Sequence, residues 1–399
     1  MVWNMTKLIN PFYTTALLWL VIFGFYYFGW SDLCMDLDIQ LVLFLSILIL
    51  TLFLAGFILS RKRLGEFLES GNTVYGFRSE TLFLTILSVV VMTAGMLYQK
   101  TIPLLNLSQG FAYNAVDTGI PFIGTFTTSF ALFLSFRLSD LFCSTRKKEY
   151  ALEWLTIMLC FVLLVARQNI VICLLGIVAA ELNERFNAKQ KHAVPVFRIG
   201  ICCVLLLAIG AFAFGAVGNM RYGLWEWSDS SMICAVGRIN SNWPEWLPRE
   251  YVWVYIYLVT PLANLNNNIV LSGVSNQLID FLVQLLPTSI TNLFGCIQPE
   301  AYLAEPSLNV STAFIGPYSS YGMPGLYLYM FILVFVVLIV LYLPGRQRDI
   351  EFAIWMSSTY FLVLTVFANP STYLITGYLL IISIAYRVTS LIEKKKSVR

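Results

Sequence analysis

Ten apolar runs, at roughly 12–30, 39–60, 81–98, 119–138, 151–166, 168–182, 196–217, 324–343, 350–367 and 372–390, decide what this chain can become. All but the fifth and sixth are near the ~17–25 residues that cross a bilayer as a helix. In hydrocarbon, unpaired backbone groups are too costly for anything but helices or closed barrels, and runs this long without alternation predict helices. With 58% hydrophobic and 12% charged residues and a mean hydropathy of +0.76, a soluble domain is excluded. The expected fold class is an all-α polytopic membrane protein of about ten transmembrane helices. It would be a single integral membrane domain over 1–399, with one large outer, periplasmic loop at 219–322 that carries short interfacial helices. No small-residue cleavage site follows the first run, which is therefore expected to stay as a helix.

Cations set the orientation. Arg61, Lys62, Arg63 and Arg78, then Arg146, Lys147 and Lys148 beside Arg137, then Arg185, Lys189, Lys191 and Arg198, mark three loops as cytoplasmic. Arg346, Arg348 and a tail with Lys394, Lys395, Lys396 and Arg399 do the same, so both termini are expected inside. Of the 25 Lys and Arg, five fall outside: Lys100, Arg167, Arg221, Arg238 and Arg249.

Parity then resolves two ambiguous stretches. The 151–182 stretch has basic loops on both flanks and must go out and return, as a hairpin broken at Arg167-Gln168-Asn169. Its first arm rises only about 24 Å against a hydrocarbon core of about 30 Å, so Arg167 is expected at the floor of a dip. The 251–262 stretch is expected as an interfacial or re-entrant helix ended by Pro261, with Tyr251, Trp253, Tyr255 and Tyr257 in the headgroup zone. Farther on, 277–286 places Leu278, Phe281, Leu282 and Leu285 on one helical face, and Gly316-Pro317…Gly322-Met323-Pro324-Gly325 breaks the backbone before the eighth span.

The outward arginines are the sharpest chemical signal. Arg167, between two apolar runs, costs several kcal/mol unless it faces a polar cavity or a partner; the alternative is a snorkelling interface cation. Arg221 directly follows the seventh run, where it could instead satisfy the last helix carbonyls. Arg238 and Arg249 lie farther out, as substrate contacts or as solvated charges. A guanidinium suits phosphate because its planar fork donates two parallel charge-assisted hydrogen bonds and never loses its proton. Glu245, Glu250, Asp280, Glu300 and Glu305 are the nearby carboxylates, with none singled out as a base. Trp225, Trp227, Trp243, Trp246 and the Asn264, Asn266, Asn267, Asn268 cluster suit a sugar groove, or equally an aromatic belt and an Asn-rich turn. The eight Cys form no CxxC pair and the one His, His192, sits in a basic loop, so no metal site and no cofactor is expected. Cys234 and Cys296 are candidates for a disulfide in an oxidising compartment.

Four stretches carry a likeness: Ala166-Arg167-Gln168-Asn169, Gly218-Asn219-Met220-Arg221-Tyr222, Tyr257-Leu258-Val259-Thr260-Pro261-Leu262-Ala263-Asn264, and Phe314-Ile315-Gly316-Pro317-Tyr318…Tyr321-Gly322-Met323-Pro324-Gly325. With the layout, they resemble the oligosaccharide repeat-unit polymerases, the O-antigen polymerases of the Wzy-dependent pathway. The resemblance implies a metal-independent membrane glycosyltransferase with a fold like that of the C superfamily, in the inner membrane of a bacterium. Undecaprenyl-pyrophosphate-linked oligosaccharide would be donor and acceptor within the lipid bilayer. A chain-length regulator and a flippase would be partners, and nucleic acid would not. Arg167 and Arg221 take catalytic roles by this likeness; Arg238, Arg249, Asn264, Tyr257 and Tyr318 are the candidate substrate contacts. Related ligases typically use an outer-loop histidine, and this chain has none outside. A transporter or lipid-linked-sugar flippase should show broken or charged helices at midplane and compact loops, whereas here the charge collects in one long loop.

Overall fold

The computed structural model describes residues 10–69, 78–108, 120, 123–187, 196–222, 226–271, 273–295, 302–343 and 347–397. Among them the chain is helical, with one isolated antiparallel bridge between Ser31 and Ile239 and no named strand. Eight helices come first: α1 (Pro11–Tyr26), α2 (Ile39–Glu69), α3 (Arg78–Tyr98), the short α4 (Pro103–Ser108), α5 (Ile123–Thr145), α6 (Lys148–Leu163), α7 (Arg167–Asn187) and α8 (Val196–Tyr222). The long segment that follows holds α9 (Ser231–Val236), a 3-10 turn (Arg249–Tyr251), α10 (Val252–Leu271), α11 (Leu278–Val283) and α12 (Thr288–Leu293). α13 (Ile315–Tyr342), α14 (Arg348–Leu364) and α15 (Leu374–Ser397) complete the chain. Each of the ten apolar runs lies largely in a helix. Among the described residues, four helices are long and apolar enough to cross a membrane: α2 over Ile39–Arg61, α3, α5 and α13.

α5 is the hub of the bundle. It packs on α3, α6, α7, α14 and α15, and over residues 131–141 it is buried on every side, as a helix stretch without a solvent or lipid face must be. Close approach explains part of its sequence: a Cβ on Gly176 of α7 would stand 2.8 Å from the Phe136 ring of α5.

The bundle has two chemically distinct ends. At one, the α1–α2 turn is sewn to the long segment: Ser31 Oγ donates to Gly237 O at 2.6 Å and Asn240 Nδ2 to Gly29 O at 3.0 Å. At the other, ion pairs around buried arginines tie five helices, and a hydrogen bond brings in a sixth. Arg137 of α5 pairs with Glu80 of α3 and Asp349 of α14, each at 2.9 Å. Arg348 of α14 pairs with Asp140 of α5 at 3.4 Å and with Glu184 of α7. Arg387 of α15 pairs with Glu351 of α14 and donates from Nε to Val340 O of α13 at 2.7 Å.

Three local expectations need correction. Pro261 does not end a helix: α10 runs through it to Leu271, because residues 259–268 are buried and packing offsets the hydrogen bond that proline removes. Trp253 and Tyr255 accordingly pack inside the protein rather than presenting their rings at its surface. Both are buried, with Trp253 Nε1 donating to Asn219 Oδ1 at 2.7 Å and the Tyr255 hydroxyl accepting from Trp30 N at 3.1 Å. α11 is shorter than the expected 277–286, turning away after six residues, with Phe281 buried and Leu278 and Leu282 exposed.

The backbone break before α13's long arm stands where glycine and proline put it. Tyr321 (φ −138, ψ 16) and Gly322 (φ 61, ψ −149) leave the helical region two residues before Pro324. The Gly322 conformation is essentially closed to residues with a Cβ. Gly322→Ala is expected to cost about 1–3 kcal/mol, read as a lowered midpoint in thermal unfolding of the detergent-solubilised protein; an unchanged midpoint would show the break is not strained.

Candidate functional site

The hairpin tip forms because α6 is closed by a paired reversal. Ala166 N–H donates to Phe161 O at 2.9 Å and Val165 N–H to Val162 O at 3.0 Å, with Val165 at the left-handed position usually given to glycine. Val165 has φ +53, a conformation that a β-branched residue rarely adopts, so strain sits at this tip. The reversal therefore occupies 164–166, three residues earlier than the sequence predicts, and Arg167 is the first residue of α7 rather than part of the turn. Its side chain lies outside the described residues. The next residue, Gln168, accepts from the Tyr373 hydroxyl at 2.8 Å. Asn169 is buried with its Oδ1 unpartnered, and the buried Tyr360 hydroxyl also faces Gln168.

Tyr373 belongs to the α14–α15 turn, 365–373, which the sequence reading passed over. Asn369 organises this turn: its Oδ1 accepts from the Tyr329 hydroxyl and from Ser371 N, and its Nδ2 donates to Gln284 O at 3.1 Å and to Gln284 Oε1 at 3.2 Å. Thr288 N donates to Thr372 O at 3.2 Å, and the Ser289 and Tyr378 hydroxyls meet at 2.7 Å. α11 and α12 thus sit on the 365–373 turn, and that turn touches the hairpin tip. The Asn369-Pro370-Ser371-Thr372 stretch is a turn signal in its own right and could have drawn attention to it.

Arg221 lies in the last turn of α8, and its side chain is outside the described residues. Around it, Gly218 and Asn219 serve the fold. A Cβ on Gly218 would stand 2.6 Å from the Trp253 ring, and the buried Asn219 amide holds Trp227 O and Ser230 Oγ, each at 2.8 Å, besides the Trp253 indole. α8 rests on α10 and the 3-10 turn, whereas α7 rests on α5, α6 and α14. Among the described residues, the two arginines are therefore carried by helices with no principal neighbour in common.

The remaining candidates divide into outward and internal groups. Arg238 caps α9 with φ +46 and reaches Glu305 at 3.5 Å, with half its side chain exposed. Arg249 is exposed beside Cys234; burial pushes that thiol up while the Arg249 guanidinium pulls it down. Cys234 is a free thiol, and Cys296 lies outside the described residues. Tyr257 stays exposed, edge-on to Phe214 at 5.5 Å. Tyr318 is buried, its hydroxyl donating to Ile269 O at 3.0 Å.

Asn264 has no exposure, and its amide is fully used: it accepts from Ala304 N at 2.7 Å and donates to Leu308 O at 3.2 Å and Val310 O at 2.8 Å. Asn268 clamps Tyr302 N and O, and Asn266 holds Asp38 N and Asp36 O. This Asn-rich stretch is a backbone clamp in the structure rather than a groove lining. Trp243 packs against Trp30 and Tyr255, at 5.0 and 5.8 Å, leaving Trp227 and Trp246 exposed among the described residues, outside which Trp225 lies.

Fold and site define a class: a helical bundle with membrane-crossing helices, capped at one end by an elaborated, hydrogen-bonded segment. Compared with protein-family models, with curated proteins and with solved structures, the chain matches none.

Proposed function

We propose that this chain is a membrane glycosyltransferase that polymerises undecaprenyl-pyrophosphate-linked oligosaccharide repeat units. The reading is carried by one observation: the long segment is seated, through Gln284–Asn369 and Tyr373–Gln168, against the hairpin tip where Arg167 begins α7. A hydroxyl of one lipid-linked repeat attacks the anomeric carbon of another chain. The new glycosidic bond forms as the bond to the pyrophosphate breaks, and the hydroxyl proton leaves with the phosphate or to solvent. Pyrophosphate is already a good leaving group, so the protein has mainly to align the acceptor and stabilise the developing charge. Arginines do the second without a metal. Arg238, Arg249 and Tyr257, whose side chains are exposed, are the contacts best placed for the sugars, while Asn264 and Tyr318 are internal, one holding the 304–310 loop and the other the Ile269 carbonyl.

The helices of all ten apolar runs span the membrane in this proposal, with both termini cytoplasmic and 219–322 outside, supported by the cation bias and by the separation of the ion-paired end from the elaborated end. A cysteine introduced at the exposed Ser241 should label with an impermeant reagent on intact cells and one at Gln190 should not; the reverse pattern would sink the topology. The functional test is deletion of the gene followed by gel analysis of surface polysaccharide. Loss of the long ladder with retention of a single capped repeat is expected. Loss of the single repeat as well would point to a flippase or a ligase instead.

A further inference from the structure

A lateral groove between α3 and α6 has a composition that the glycosyltransferase reading does not use. On α3, Arg78, Leu82, Ile86 and Val90 recur at helical spacing along one face; on α6, Glu149 and Glu153 do the same. The two helices pack together, and these residues line a groove of about 340 Å³ between them. That is the lower range of small-molecule sites, roughly 300–1,000 Å³. Leu82, Ile86 and Val90 are all exposed, so the wall of the groove is open to the surroundings of the bundle. From Arg78 to Val90 the helix rises about 18 Å, slightly more than half of a hydrocarbon core of about 30 Å, which is the depth of one acyl chain.

The charge is confined to one end. Arg78 opens α3 and Glu149 lies in the first turn of α6, so both helices begin at the ion-paired end of the bundle. Glu153 is buried one turn deeper, accepting from Thr85 Oγ1 at 3.4 Å and from Thr81, with the Arg78 charge nearby. Among the described residues, Arg78, Glu149 and Glu153 make no ion pair. A carboxylate held against an apolar groove is costly unless a cation or a hydrogen-bond donor meets it.

We propose that this groove binds one zwitterionic, amine-bearing phospholipid. Its acyl chain lies along Leu82, Ile86 and Val90, its phosphate meets Arg78, and its ammonium donates to Glu149 and Glu153. One cation beside two carboxylates complements a headgroup that carries both a phosphate and a protonated amine. An anionic headgroup would meet a net negative site, and a trimethylammonium group has no N–H to donate. The assignment is independent of the glycosyltransferase reading.

The test titrates the delipidated full-length protein in mild detergent with phosphatidylethanolamine, phosphatidylcholine or phosphatidylglycerol of identical chains, counting bound lipid by native mass spectrometry. One phosphatidylethanolamine is expected to bind at about tenfold lower concentration than either competitor, the worth of a charge-assisted hydrogen bond. Glu149→Gln should bring phosphatidylethanolamine down to the phosphatidylcholine level, and Arg78→Ala should weaken both about tenfold. Glu149 is only half-buried, so its variant stays informative even where Glu153→Gln fails to fold. Equal binding of phosphatidylglycerol, no retained lipid, or an unchanged preference in Glu149→Gln would overturn the proposal and leave only unselective annular lipid.

Discussion

Arg137→Ala is expected to destabilise the protein by about 3–5 kcal/mol, the cost of removing one partner from a buried ion pair. Arg137 has no exposure and its partner Asp349 has none either, so the variant strands a carboxylate that neither water nor lipid headgroups reach. The adjacent Arg348 is already engaged by Asp140 and Glu184 and does not replace it. Glu80, 37% exposed, can rehydrate, so Glu80→Gln should cost far less. Thermal unfolding of the purified protein, with membrane abundance in cells, reads both. The double variant Arg137→Met with Asp349→Leu should recover most of the loss, because replacing a whole buried pair by apolar groups is often neutral. An Arg137→Ala protein with wild-type stability would mean that the ion-paired end does not hold the bundle together.

Arg137 also shows where sequence reasoning stops. A cation at the end of an apolar run ordinarily snorkels to the interface, and beside Arg146 it reads as one more loop charge. What changes its role is the company of α5. Five helices surround it, and the acids that neutralise Arg137 are 57 and 212 residues away in the chain, beyond any local pattern. The same limit applies to Asn264, whose clamp partners lie 40 to 46 residues downstream; an Asn cluster looks alike whether it faces a ligand or a backbone. By contrast, features with a local cause were legible. The helices follow from the apolar runs, and the break at Gly322 from glycine and proline in succession. Pro261 misled because local propensity says stop while the burial of α10 on both sides of it says continue.

Loss of either Arg167 or Arg221 is expected to reduce polymerisation by roughly 10²-fold or more, if each donates bidentate hydrogen bonds that strengthen as charge develops on the departing pyrophosphate. Lysine should rescue only in part, since a point charge cannot reproduce the planar fork. The structure sharpens this expectation for Arg167, which opens α7 beside the Gln168–Tyr373 contact and just after the strained Val165. It also separates two versions of the proposal. Because, among the described residues, α7 and α8 have no principal neighbour in common, the arginines can serve one pyrophosphate or two different lipid-linked chains, donor and acceptor. Groups that act on the same phosphate are strongly non-additive, so the double alanine variant would then be little worse than either single one. On separate chains the losses should multiply. Each variant is made as alanine and as lysine, membrane abundance is confirmed, and the polysaccharide ladder is measured. A wild-type ladder from both Arg167→Ala and Arg221→Ala at normal abundance would reduce these arginines to interface anchors and remove the pyrophosphate clamp from the mechanism.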